Sequence, residues 1–153
     1  MLFRSDGSNF GSPVTLSGGV AKVTDSALSV GTHTVTATYS GDSTFAGSTS
    51  APLTQTVLSV EQQIEIIQGQ VASLGLNHGN QNSLLVKLNL KGNHGDIGKV
   101  GAFINEVRAL TKAHKISQTD ANMLIMEAND LLISLHFVEA TAQTRHGHAN
   151  LQV

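Results

Sequence analysis

Histidine is the residue type whose spacing most suggests chemistry: His33, His78, His94, His114, His136, His146 and His148. His78 and His94 sit in matching Asn-His-Gly turns. His146-x-His148 would put two imidazoles on one side of an extended chain, and both arrangements invite a metal site. Geometry argues against it. The two Asn-His-Gly turns fall at opposite ends of one expected helix, roughly 15 Å apart at the usual rise per residue. Zinc ligands must converge to about 2.1 Å from a common ion. His146 and His148 have no third ligand fixed nearby. His33 leads into a strand and reads as a packing or edge residue.

Other reactive patterns are no stronger. Glu61 and Glu65 lie one helical turn apart and could pair as carboxylates, but near a helix amino-terminus they are favoured by the dipole alone. Asp6, Asp25 and Asp42 fall in turns and do not form the Asp-x-Asp-x-Asp of a calcium loop. Gly-x-Ser-x-Gly and His-Glu-x-x-His do not occur. Gly18-Gly19 precedes a strand, so no phosphate loop follows. With Cys 0 there is no thiol chemistry, and with Trp 0 and Tyr 1 there is little of the aromatic platform that sugar binding uses. Tyr39 points inward on the strand alternation, while Phe10 and Phe45 fall near turns. The expectation is no catalytic residue, no cofactor and no metal ligand.

The elements that would position these residues divide the 153-residue chain in two. Residues 1–57 hold 10 Thr and 10 Ser, whereas 58–153 hold 4 Thr and 5 Ser. Hydroxyl-rich, β-branched sequence favours strands, and the remainder favours helices. Three segments are expected: 1–57, 58–138, and a flexible tail over 139–153. A formal net charge of -2 without a basic block argues against nucleic acid. No apolar run is long enough to span a membrane, and Met1-Leu-Phe-Arg-Ser-Asp-Gly is too short and polar for a signal peptide.

In the first segment, Gly31–Asp42 dominates. His33, Val35, Ala37 and Tyr39 alternate with Thr34, Thr36 and Thr38, the period of a half-buried strand. Pro13–Leu16 and Val20–Thr24 flank Ser17-Gly18-Gly19 as a hairpin, Asp6-Gly7 marks another turn, and Leu53–Val57 alternates again. The order Asp-Gly, Val-Thr-Leu, Ser-Gly-Gly-Val-Ala, Gly-Thr-His-Thr-Val-Thr-Ala-Thr-Tyr-Ser-Gly-Asp and Leu-Thr-Gln-Thr-Val resembles the bacterial Ig-like repeat domain over residues 1–57. The resemblance implies a partial antiparallel β-sandwich. It also implies two further strands before Asp6-Gly7 that this chain lacks. Roughly six apolar side chains at about 1.5–3 kcal/mol each would be missing from the core. That rivals the stability of a whole domain, about 5–15 kcal/mol, so a truncated remnant of a longer polypeptide is expected.

In the second segment, Ser59-Val-Glu-Gln62 is a capping box that opens the stripe Val60, Ile64, Ile67, Val71, Leu74, ended by Gly75. Further helices are expected from Asn80 to Lys91, from an Asp96 cap through Leu110, and after Ser117-Gln-Thr-Asp120. An internal repeat at an offset of 40 maps Val60, Ile64, Ile67, Leu76, Asn82, Leu84, Leu85 and Leu88 onto Val100, Ile104, Val107, Ile116, Asn122, Leu124, Ile125 and Ala128. This predicts a small four-helix unit made of two helical hairpins. Asn82–Leu88, Ala102–Val107, Lys115-Ile-Ser and Ala121–Leu135 make the stretch 60–136 resemble the FIMAH domain, a helical module of bacterial surface and secreted proteins with no activity to carry over. Gly98 and Gly101 depart from a good helix, at up to about 1 kcal/mol each.

Together these imply an α+β chain with its parts in separate domains. The expected role is non-catalytic: the C-terminal part of a bacterial cell-surface or secreted protein, acting as spacer and surface contact, with extracellular or cell-surface localisation. Its partners would be neighbouring domains of a longer chain or a cell-envelope component. The alternative is an accessory polysaccharide-binding module of a secreted hydrolase.

Overall fold

A computed structural model describes residues 1–24, 28–90 and 95–149, without the side chains of Gly95, Glu139 and 141–149. The chain divides into two compact units, Met1–Ser59 and Val60–Val153.

The first unit is one five-stranded antiparallel sheet. Its strands are β1 (Leu2–Ser5), β2 (Ser8–Asn9), β3 (Gly31–Tyr39), β4 (Ser48–Thr49) and β5 (Leu53–Val57). β3 is the spine: β1 lies along one side, and β4 and β5 lie along the other. β1 and β2 join through Asp6-Gly7 with both φ positive, 51° and 81°, the conformation that two-residue hairpins favour. Residues in register share a face. Phe3 with Ala37, Val35 with Leu53, and Gly31 with Val57 make one face apolar, while Thr32–Thr56 and Thr34–Thr54 make the other a threonine ladder.

Two strand expectations are corrected. The hairpin around Gly18-Gly19 turns as read, but only an isolated bridge between Ser17 and Val20 forms, not strands over 13–16 and 20–24. A two-stranded ribbon with no neighbour is marginal in water. Conversely, a strand does precede Asp6-Gly7. β1 is short, but it has β3 to pair with across four registered residues, Leu2 to Ser5.

Tyr39 is half-buried and its hydroxyl donates to Asp42, which also accepts the Thr44 and Phe45 amides. Gly41 is required in that turn: φ is +87°, and a Cβ there would meet Gly47 N at 2.8 Å.

The second unit holds four helices: α1 (Val60–Ser73), α2 (His78–Lys87), α3 (Gly95–Lys112) and α4 (Gln118–Ala149). Their apolar stripes close on one another. Ile67 and Val71, Leu84 and Leu88, Phe103 and Val107, and Leu124 and Leu131 are buried in one cluster.

Two positions forty residues apart make the same cap. Asn77 precedes α2 and its side chain accepts the Asn80 amide; forty residues on, Ser117 precedes α4 and accepts the Asp120 amide. Burial agrees in part: Leu84 and Leu124 are buried, Leu85 and Ile125 half-buried, and Asn82 and Asn122 exposed, but Val60, Ile64 and Leu76 are half-buried where Val100, Ile104 and Ile116 are buried. α2 starts at His78 rather than Asn80, because Asn77 caps it, and it ends by Lys87 rather than Lys91. Asp96 lies inside the first turn of α3 rather than ahead of it, fully buried, with Lys99 Nζ 3.0 Å from its Oδ1. α4 continues to Ala149, where an irregular tail was expected from 139. Ala140, Ala142, Gln143 and Arg145 are good helix formers and extend it without an apolar stripe. No helix among the described residues is long and apolar enough to cross a membrane.

Candidate functional site

Two features of the sheet unit lie side by side: an uncovered groove and a histidine clamp. The groove, about 700 Å³, runs over the apolar face of the sheet and is lined by Phe3, Phe10, Leu28, Val35, Leu53 and Val57, among others. It exists because β3 alternates and because the described residues cover that face only in part. The segment between β2 and β3 contributes part of the lining through Ala21 to Thr24. Leu53 remains 62% exposed. Phe10 is half-buried in the lining, while Phe45, at the Asp42 turn, is 66% exposed.

The clamp is built on His33, the one buried side chain among the described residues of this unit. Its Nδ1 lies 2.7 Å from Asp6 Oδ2 and its Nε2 lies 2.8 Å from the Ser29 carbonyl oxygen. Both partners are acceptors, so both ring nitrogens must carry hydrogen for both bonds to form, and the arrangement favours the imidazolium. Asp6 Oδ1 accepts the Thr34 amide at 2.8 Å, and the Asp6 amide donates to the Thr34 carbonyl at 2.9 Å. The Asp6 hydrogen bond, with the Ser29 carbonyl, lifts His33 above the ordinary imidazole range. The same bond, with the Thr34 amide, holds Asp6 below the ordinary carboxylate range.

This is a clamp and not a catalytic arrangement. Ser29 presents its carbonyl to the ring rather than its hydroxyl, so no nucleophile stands in line with the imidazole. The ring nitrogens are both engaged, and so are both oxygens of Asp6. The pair ties the β1–β2 turn and the segment before β3 to the central strand.

Among the described residues, the others weighed on sequence do not converge. His78 is exposed at the start of α2, and Glu61 and Glu65 are exposed on α1. His136 Nδ1 bonds the Leu132 carbonyl at 2.7 Å within α4. Asp25 and His94 lie outside the described residues, as do the side chains of His146 and His148. Among the described residues no three His, Cys, Asp or Glu side chains come close enough to hold a metal.

The link between His33 and Asp6 escaped sequence reasoning. Its only local signal is an Asp-Gly turn, where the left-handed backbone and a short acceptor side chain go together.

A family model for the bacterial Ig-like domain (group 3) matches residues 1–58. The resemblance read from the strand order therefore stands for that stretch. No curated protein and no solved structure matches the chain.

Proposed function

We propose that this chain is a non-catalytic structural and adhesion module of a bacterial cell-surface or secreted protein. It acts as a spacer and as a surface contact, outside the cell or on its surface. The Ig-like match over 1–58 supports an extracellular module. The carrying observation is the groove: Phe3, Val35, Leu53 and Val57 line an open apolar face in a unit with no buried apolar side chain among its described residues. Such a face is a contact surface, for a neighbouring domain of a longer chain or for an envelope component. The helical unit is read as a FIMAH-like module on the residues quoted above and on its paired hairpins.

The test is retention of the full chain on isolated bacterial envelope material, beside a Leu53→Asp variant. Leu53 is 62% exposed, so the substitution leaves folding intact. Retention of the parent, lost in the variant, is expected. No retention, or equal retention of both, would remove the contact role from this face.

A further inference from the structure

The corner where α3 turns into α4 gathers charge that no fold requirement uses. Arg108, Lys112 and Lys115 lie there with His114, on two adjoining clefts of about 500 Å³ and 460 Å³ that share Thr111, His114 and Gln118. Ala121 and Ile125 line the larger one beneath the cations.

Two ordinary explanations for these cations fail. The first is ion pairing. Elsewhere in the helical unit Lys87 pairs with Glu106 at 2.6 Å and Lys99 with Asp96 at 3.0 Å. Arg108, Lys112 and Lys115 have no carboxylate at ion-pair distance among the described residues. Asp120, the sole acidic residue in the stretch 108–121, accepts the hydroxyl of Ser117, the residue that caps α4.

The second is capping the last carbonyls of α3, the usual work of cations at a helix carboxy-terminus. The backbone already does that: the Lys115 amide donates to the Leu110 carbonyl, the His114 amide to Thr111, and the Ala113 amide to Ala109. This cap needs a left-handed residue at position 114, and a histidine supplies it at φ 56°. The first hairpin uses Gly75 at φ 63° for its turn. Histidine is one of the few non-glycine residues that adopt this region with some frequency.

Arg108 and Lys112 are one helical turn apart on α3, so they present their charges to the same side. The amino-terminus of α4, at Gln118, adds its positive dipole end to the same corner. In a chain of formal net charge -2, this is a local positive concavity.

We propose that the α3–α4 corner is an oxyanion-binding site that takes phosphate groups through Arg108, Lys112 and Lys115. The inference concerns the helical unit and does not rest on the contact role of the sheet. Free phosphate and the phosphodiester of an envelope polymer present the same chemistry to it.

The experiment is titration of the full chain with inorganic phosphate and, separately, with a glycerol phosphodiester. Amide and His114 ring resonances are followed at constant ionic strength. Saturable shifts confined to residues 108–121 are expected, with a Kd of about 1–10 mM, the scale of a few exposed ion pairs. The double variant Arg108→Gln/Lys112→Gln should weaken them at least tenfold, with amide shifts elsewhere unchanged. Stronger binding of inorganic phosphate assigns the site to free phosphate, and stronger binding of the diester assigns it to a polymer. Shifts that do not saturate below about 50 mM, well beyond that range, or that persist in the double variant, overturn the proposal.

Discussion

The two units of this chain solve the burial problem in opposite ways. Every buried hydrophobic residue among those described, from Ile67 to Leu135, lies in the helical unit. Among the described residues of the sheet unit the one buried side chain is His33, a polar one. Four amphipathic helices present four apolar stripes that can close on one another without outside help. One sheet has two faces and cannot bury its apolar one alone. Its threonine face accepts water, but its Phe3–Val35–Leu53 face is left as a groove. The lesson is that secondary structure alone does not make a core; a layer needs a second layer.

The sharpest way to break this contrast is by truncation of core side chains. Phe103 is fully buried between helices, so Phe103→Ala should lower unfolding free energy by about 3–5 kcal/mol. Leu53→Ala, on the open face, should change it by no more than about 0.5 kcal/mol. Urea denaturation of the full chain, followed by helical circular dichroism and by β-sheet amide exchange, reads both. A large cost for Leu53→Ala would show that the groove is covered in solution and that the contrast is false.

A smaller effect sharpens the picture of the helical unit as two equivalent hairpins. Asn77 and Ser117 cap α2 and α4 through the same contact, side-chain oxygen to the amide three residues on, at 2.9 Å and 3.1 Å. Asn77→Ala and Ser117→Ala should each cost about 1 kcal/mol. Because they cap different helices, the double variant should cost the sum within about 0.5 kcal/mol. Thermal melts of the three variants check it. A free substitution at either site would reduce the repeat to a likeness of sequence.

What was legible in the sequence follows physical range. The α1, α3 and α4 stripes were legible because helical periodicity is local and because Ser59 and Ser117 announce starts. β3 was legible because nine consecutive residues, Gly31 to Tyr39, keep one period. β1 was not: Leu2–Ser5 is a strand only because β3 lies beside it. The residues 13–16 and 20–24 have strand-like alternation and no partner, so the pattern went unused. The start of α2 was misplaced because Asn77 looks like one more turn residue until its side chain is seen to cap. The clamp joins residues 27 apart in sequence, and no local pattern reports such a contact. The cations of the α3–α4 corner are separated by four and three residues, so no charge run marks them.

The smallest effect tests the polar substitute for a core in the sheet unit. His33 has a folded pKa above its ordinary 6.5, so the folded sheet holds its proton more tightly than the unfolded chain does. Its contribution is complete below about pH 6.5 and is lost as pH rises through the raised folded value. Asp6 has a folded pKa below its ordinary 3.8, so its contribution is present above that value and is lost as pH falls through the lowered one. The sheet should therefore be best protected in mildly acidic solution, between the two. The Asp6 side chain is 53% exposed, which keeps the effect modest. Amide exchange at Thr34 and Phe10, whose amides bond Asp6 and the Phe3 carbonyl, should quicken above pH 6.5 beyond the intrinsic rise in exchange rate. Asp6→Asn should remove most of that dependence, since it leaves the turn and the hydrogen-bonding shape while deleting the charge that favours the imidazolium. Amides in α1 and α4 should show no such step. If the helical amides follow the same pH profile, the two units share one unfolding transition. The contrast between a closed apolar core and an ion-pair clamp would then describe packing alone and not stability.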